Sequence, residues 1–340
     1  MGKYLYGLID GKKEVSWKSE GINGEDIFSI PYGNVSMVAS NIGSTDFKNL
    51  PKDQLVTCLG DYQSVSKKII KEHDFMPMSF GTMVQDDQEI IKVIKRGYDL
   101  IKKNMNLLKG RIEFDLAAEF SNIDSVLKEI GESEQIREFK EMATLEKTTD
   151  HTRIILGRMV KEILDKEKKA YAQRISKNLC SISEDLKVYD FNNDNMIFYG
   201  AFLIRKENQP FFEKAIDAVD LEFEDRVNFR LTGPLPYYSF KTLMISRISF
   251  DQIDAARKTL NLPEISTRSD IKDSYKRLCL ACHPDLTPQD KDGEKKFLSI
   301  EKAYQVLMDF SFNEHCSFAR EDVEDWVKIG FVETNESVLQ

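Results

Sequence analysis

Two helical stripes that meet at a proline constrain this chain more than any other feature. Ile271, Tyr275, Leu278 and Cys282 recur at i, i+4, i+7 and i+11, which puts them on one apolar face of a helix from Asp270 to Cys282. Thr267 and Asp270 have the spacing of a capping box, with Asp in place of Glu or Gln. The helix must stop at His283-Pro284-Asp285, because proline disfavours helix in the residue before it and brings no amide. After a polar loop, Leu286 to Gly293, a second stripe follows with Phe297, Ile300, Tyr304 and Leu307. Two such stripes predict an antiparallel helical hairpin with His-Pro-Asp at its exposed tip. A shorter helix, Phe250 to Leu260, would cover the open side. Lys272, Lys276 and Arg277 lie off the apolar stripe and give the first helix a basic outer face. Phe250 to Phe310 carries no strand signal, and the tail from Ser311 offers one short helix, Glu321 to Ile329.

The residues before this module alternate strand and helix periodicities. Lys3 to Ile9 reads as a strand, and Ile27–Ile30 and Val35–Ala39 as a hairpin around Pro31 to Asn34. Pro51 to His73 is helical, with Leu55, Leu59, Tyr62, Val65 and Ile69 on one face; a second helix through Ile90, Ile94 and Ile101 ends at Gly110. From Arg111 the order becomes strand, long helix (Glu132 to Leu179, interrupted near Thr148), strands Leu186–Tyr189 and Met196–Ile204, helix Gln209–Val219, and strand Glu222–Leu231. That is the order of a split βαβ, ferredoxin-like sandwich. The fold class expected is α+β: an N-terminal α/β domain (1–110), a ferredoxin-like α+β domain with a long helical insertion (111–245), an all-α hairpin module (246–312) and a tail (313–340). Gly233-Pro234 with Pro236 is expected to end the last strand and fix an extended exit. Tyr237, Tyr238 and Phe240 after it read as core, with a partner-contact surface as the other reading.

Composition narrows the function. With 340 residues, 41% of them hydrophobic, the chain has enough apolar surface for two or three domains with cores. A formal net charge of −9 argues against a general nucleic-acid binder. The apolar stretch Tyr4 to Ile9 is broken at once by Asp10, Lys12 and Lys13, too soon for a signal-peptide core or a membrane span. Five cysteines, an odd number, suit a reducing compartment, and Cys58 and Cys180 read as small buried hydrophobes. A cytoplasmic protein is expected. His73 and His151 stand alone, no phosphate-cradling loop or nucleophile elbow is present, and neither enzyme activity nor a cofactor is expected. Cys279-Leu280-Ala281-Cys282-His283 does match the pattern for covalent haem attachment, but that chemistry belongs to exported chains, and the helical period turns Cys282 inward. A zinc site from Cys279, Cys282, His283 and the pair His315-Cys316 would lack a second clear ligand pair.

Two resemblances add to this reading. Asp270 to Leu278, His283-Pro284-Asp285, Lys296-Phe297 and Ala303 to Leu307 resemble the J-domain (DnaJ-like) family, the Hsp70-stimulating module. The resemblance implies that His283, Pro284 and Asp285 form the functional tip and that Lys272, Lys276 and Arg277 form an electrostatic docking face. Asp270 and Asp273 dilute that face. Tyr4 to Ile9, Met76 to Thr82 with its Phe80-Gly81-Thr82, and Leu231-Thr232-Gly233-Pro234-Leu235-Pro236-Tyr237-Tyr238-Ser239-Phe240 resemble the gas vesicle F/L (GvpL/GvpF) family. Leu235 and Tyr237 stand where that family has Trp and Pro. This second resemblance implies a gas vesicle-associated accessory protein for assembly, whose partners are the apolar shell subunit and other vesicle proteins, with an Hsp70-type chaperone as a further partner and with neither nucleic acid nor membrane as one. The competing readings are a minor structural vesicle component whose J-like domain only docks, and a redox or haem protein.

Overall fold

The first strand, β1 (Gly2–Asp10), is buried from Tyr4 to Ile9, as a central strand covered on both faces must be. Short β2 (Ser16–Trp17) is followed by the expected hairpin, β3 (Ile27–Tyr32) and β4 (Val35–Ile42). Helix α1 (Lys52–Glu72), strands β5 (Phe75–Pro77) and β6 (Met83–Val84) and helix α2 (Asp87–Leu107) complete this part. The strands form one antiparallel sheet in the order β2-β3-β4-β1-β5, with β6 also on β1. Helix α1 buries Cys58, Tyr62, Val65 and Ile69, and α2 buries Ile90, Val93, Ile94 and Ile101. Asp86 caps α2 by accepting from the Glu89 amide at 2.8 Å. The computed structural model describes residues 2–43, 47, 49–145, 150–282, 293–311, 315–323 and 327–332.

From β7 (Arg111–Phe120) the chain runs through α3 (Ile123–Gly131), α4 (Glu134–Leu145), α5 (Asp150–Cys180), β8 (Asp185–Val188), β9 (Met196–Arg205), α6 (Gln209–Glu222) and β10 (Val227–Leu235). The sheet order β10-β7-β9-β8, antiparallel throughout, is 4-1-3-2 in order of appearance. This is the ferredoxin-like arrangement. On β7, Ile112, Phe114, Leu116, Ala118 and Phe120 face the helices and join Leu164, Ile175, Leu179, Phe212 and Ile216 in one core, the period of two that a strand imposes. Three expectations need correction. The long helical region begins earlier, with α3 capped by Asn122, whose side chain accepts from the Ser125 amide at 3.1 Å. The last strand starts at Val227 rather than Glu222, because α6 continues to Glu222 and a turn with positive φ at Glu224 and Asp225 follows. Gly233-Pro234, joined by a cis peptide bond, lies inside β10 instead of ending it; the ladder to β7 shifts register between Thr232 and Leu235 and then continues. Cys58 is buried as expected, whereas Cys180 is exposed at the end of α5.

The remaining elements are β11 (Thr242–Arg247), α7 (Phe250–Thr259), β12 (Ile265–Thr267), α8 (Arg268–Cys282), α9 (Gly293–Phe310), β13 (His315–Ser317), α10 (Arg320–Val323) and β14 (Val327–Val332). The helical hairpin and its covering helix are present. The expectation that 250–310 lacks strands is not met, because β12 lies within it and pairs with β13, Ser266 opposite Cys316; outside that range, β11 pairs with β14. The helix expected over Glu321 to Ile329 is only α10, and the alternation Val327, Ile329, Phe331 belongs to a strand. Ile253, Leu260, Ile271, Ile300, Leu307, Phe310, Cys316 and Phe318 form the core here. Chain contacts divide the protein into two compact units, Met1–Leu243 with Phe331–Gln340, and Met244–Gly330.

Candidate functional site

In the first unit, segments distant in sequence converge on an aromatic cluster. Tyr4 and Tyr6 come from β1, Tyr62 from α1, Phe80 from the turn after β5, and Tyr238 from the segment after β10. Tyr6 stacks on Tyr62 with ring centroids 6.1 Å apart, and Tyr62 meets Phe80 at 5.7 Å and Tyr238 at 5.8 Å, within the range where edge and offset geometries are favourable. The phenols tie the backbone in place. Tyr62 Oη donates to the Met78 carbonyl at 2.5 Å, and Tyr4 Oη accepts from the Gly81 amide at 3.0 Å. Burial pushes the Tyr62 and Tyr4 phenols far above their ordinary range, so both stay protonated. Gly81 turns the chain at φ +81°, a left-handed conformation suited to glycine. Thr82 then closes the turn, its hydroxyl donating to the Ser79 carbonyl at 2.5 Å and its carbonyl accepting from the Leu5 amide at 2.9 Å.

The second motif runs along β10 and then crosses onto the sheet face turned away from the helices. Leu231 packs into the helix-side core, Thr232 is exposed, and Gly233 passes so close to the Phe114 ring that a Cβ would overlap it. Pro234 is half-buried and Pro236 buried. Tyr237 and Phe240 are buried against Ala201 and Leu203 of β9. The core reading of these aromatics therefore holds for both. Between them, the Ser239 amide donates to Glu113 Oε2 at 2.9 Å and its hydroxyl to Oε1 at 2.7 Å. Burial, reinforced by neighbouring Asp115, holds the Glu113 carboxyl well above the usual range, and burial pushes Asp115 up to about 6. Glu113, Asp115 and Ser239 escape a reading by periodicity. Alternating acids on a strand look like a solvated face, and only the fold lays residues 236–240 over them.

In the second unit, α8 turns Ile271 inward, keeps Tyr275, Leu278 and Cys279 half-buried, and leaves Lys272, Lys276 and Arg277 exposed. Thr267 and Asp270 form the expected reciprocal cap: the Asp270 carboxylate accepts from the Thr267 amide at 2.7 Å, and the Asp270 amide donates to Thr267 Oγ1 at 3.1 Å. The Ser274 hydroxyl donates to the Leu260 carbonyl at 2.5 Å and seats α8 on the end of α7. Tyr275 and Tyr304 stack at 4.0 Å between α8 and α9. The Tyr275 phenol is pushed up to about 12, first by its hydrogen bond with Cys279 and then by burial. His283, Pro284 and Asp285 lie outside the described residues, as does the Cys282 side chain. Cys279 is committed to this packing. His315 is exposed while adjacent Cys316 is buried, so the two face opposite ways and do not form the ligand pair that a zinc reading needs.

Both halves have known counterparts. The family "Gas vesicle synthesis protein GvpL/GvpF" matches residues 2–242, and the DnaJ domain matches residues 257–313. Gas vesicle protein F1 of Halobacterium salinarum is 22% identical over 246 residues, 71% of this chain and 93% of that protein. Chaperone protein DnaJ 2 of a Synechocystis species is 39% identical over 59 residues, 17% of this chain and only 19% of that chaperone. The crystal structure of gas vesicle protein GvpF from Anabaena superposes with a TM-score of 0.60 at 19% identity, covering 70% of this chain and 97% of that one. That of GvpF from Microcystis aeruginosa gives 0.56, also at 19% identity, covering 70% and 98%. These superpositions establish a shared fold. With the family matched over most of its length, this chain belongs to the gas vesicle synthesis protein GvpL/GvpF family and carries a DnaJ domain after the family region.

Proposed function

We propose that this protein is a cytoplasmic, gas vesicle-associated assembly factor. Its F/L region binds the apolar shell subunit and other vesicle proteins, and its DnaJ domain brings an Hsp70-type chaperone to the bound client. A small, very apolar subunit would aggregate in water before reaching the shell, so holding it beside an ATP-driven chaperone has a physical rationale. The observation that carries the reading is α8: a capped helix with Lys272, Lys276 and Arg277 exposed, placed immediately before His283-Pro284-Asp285 in a chain whose first two-thirds is of the vesicle family. In this role Lys272, Lys276 and Arg277 steer the acidic face of the chaperone, and His283, Pro284 and Asp285 trigger hydrolysis. Phe80, Gly81, Thr82 and the residues Leu231 to Phe240 shape the F/L body. The protein acts by binding, with no catalytic step and no cofactor of its own. Its working parts would be 1–110, 111–245, the module 246–312 and the tail 313–340.

The test is capture of the purified shell subunit by residues 1–245 and by the full chain, with the chaperone present. Capture of the subunit by both and of the chaperone by the full chain alone is the expected pattern. Failure of both forms to hold the subunit contradicts the client-binding role. Stoichiometric retention on stringently washed vesicles would favour the second reading, a minor structural component whose acid-diluted DnaJ domain is only a docking surface.

A further inference from the structure

Helix α6 has two unlike faces. Phe212, Ile216 and Val219 point into the ferredoxin-like core. On the side directly opposite, Phe211, Lys214, Ala218 and Leu221 recur at i, i+3, i+7 and i+10, and all four are exposed. Apolar residues exposed singly need no explanation. Here Phe211 is 63% and Leu221 80% exposed, and both lie on one stripe with Ala218 between them. The spacing is that of a helix seam that meets another helix. One position interrupts the apolar run: Lys214 stands in it, with Asp217 exposed on its flank. Among the described residues neither makes an ion pair within the chain. Glu222, at the end of the same helix, is by contrast held from α5 by Arg174 at 3.4 Å and Asn178 at 3.5 Å.

We propose that this face of α6 is a two-fold interface, covered by α6 of a second copy of this chain running antiparallel. An interface about a two-fold axis must be self-complementary, and the stripe is. With the axis midway between Lys214 and Ala218, Phe211 of one copy meets Leu221 of the second copy at both ends, so each large apolar group gains an apolar partner. In the middle, Lys214 lies against Ala218 of the second copy. The small Ala218 side chain leaves room for the lysine stem, and the ammonium reaches Asp217 beside it, giving one opposite-charge pair on each side of the axis. A parallel arrangement would instead set Lys214 against Lys214. The stripe is about 15 Å long at roughly 1.5 Å per residue. The contact is therefore smaller than a standard interface of about 1,600 Å², and the dimer is a weak one. It brings two F/L bodies and two DnaJ domains into one particle.

Sedimentation velocity of the full chain over roughly 1 μM to 0.5 mM tests this. The wild type is expected to shift from monomer to dimer within that range. Leu221→Lys, at an exposed site, should leave the circular dichroism unchanged and the chain monomeric. Lys214→Asp sets acid against acid across the axis and Asp217→Lys sets base against base, and each alone should weaken self-association several-fold. Mixed in equal amounts, the two variants restore both opposite-charge pairs, so they should associate with each other as tightly as the wild type does with itself. A wild type that stays monomeric throughout, a dimer that Leu221→Lys leaves intact, or a mixture no tighter than either variant alone would each overturn the proposal. A monomeric wild type whose capture of the shell subunit is lost in Leu221→Lys would give the face to the client and overturn the dimer in the same way.

Discussion

Tyr62 is where the family motifs become physical. Its hydroxyl is the donor that the buried Met78 carbonyl receives, and its ring touches Tyr6, Phe80 and Tyr238. Tyr62→Phe keeps the ring packing and removes the bond, so a loss of about 1–2 kcal/mol in urea unfolding is expected; an unchanged midpoint would show that the carbonyl finds another donor. Gly233 makes a different kind of contact. Gly233→Ala would push a methyl group into the Phe114 ring, and overpacking of this type costs about 1–3 kcal/mol, to be read from the same denaturation curve. Gly81 is legible in the sequence because glycine punctuates it, whereas Gly233, expected to end the last strand, lies inside it. Glu113 is not legible, because its burial depends on a segment more than a hundred residues later in the chain.

Elements with a long period are the ones a sequence displays. Helices α1, α2, α8 and α9 repeat their apolar residues over three turns or more, and the 4-1-3-2 sheet follows from the order of its parts. Strands β12 and β13, three residues each, are too short to show an alternation, and each exists only by pairing with the other. Their effect is larger than their length. They bring Cys316 and the 1%-exposed Phe318 into the core of the second unit. Phe318→Ala should therefore destabilise that unit by about 3–5 kcal/mol, seen as an earlier thermal transition of the second unit with the first unit's transition unmoved. Simultaneous loss of both transitions would contradict the division into two units. At the other end of the module, Thr267→Ala removes half of the α8 cap and should cost about 1 kcal/mol, measured as faster amide exchange in the first turn of α8.

At the scale of the whole molecule, the chain joins a family body of β sheets and helices to a helical module with a basic face. No helix among the described residues is long and apolar enough to cross a membrane. The resemblance to both families was legible from short ordered motifs, whereas the two ribbons, β11 with β14 and β12 with β13, were not. If the module works as a co-chaperone, its exposed charges matter and its fold does not depend on them. Lys276→Glu and Arg277→Glu together should leave the helical circular dichroism unchanged and weaken chaperone stimulation several-fold, more strongly at low salt. The most direct measurement is single-turnover ATP hydrolysis by the partner Hsp70 with the full chain and with its His283→Gln variant. Stimulation by the wild type that the variant lacks is the expected result; equal, unstimulated rates with both would remove the chaperone from the proposed assembly role.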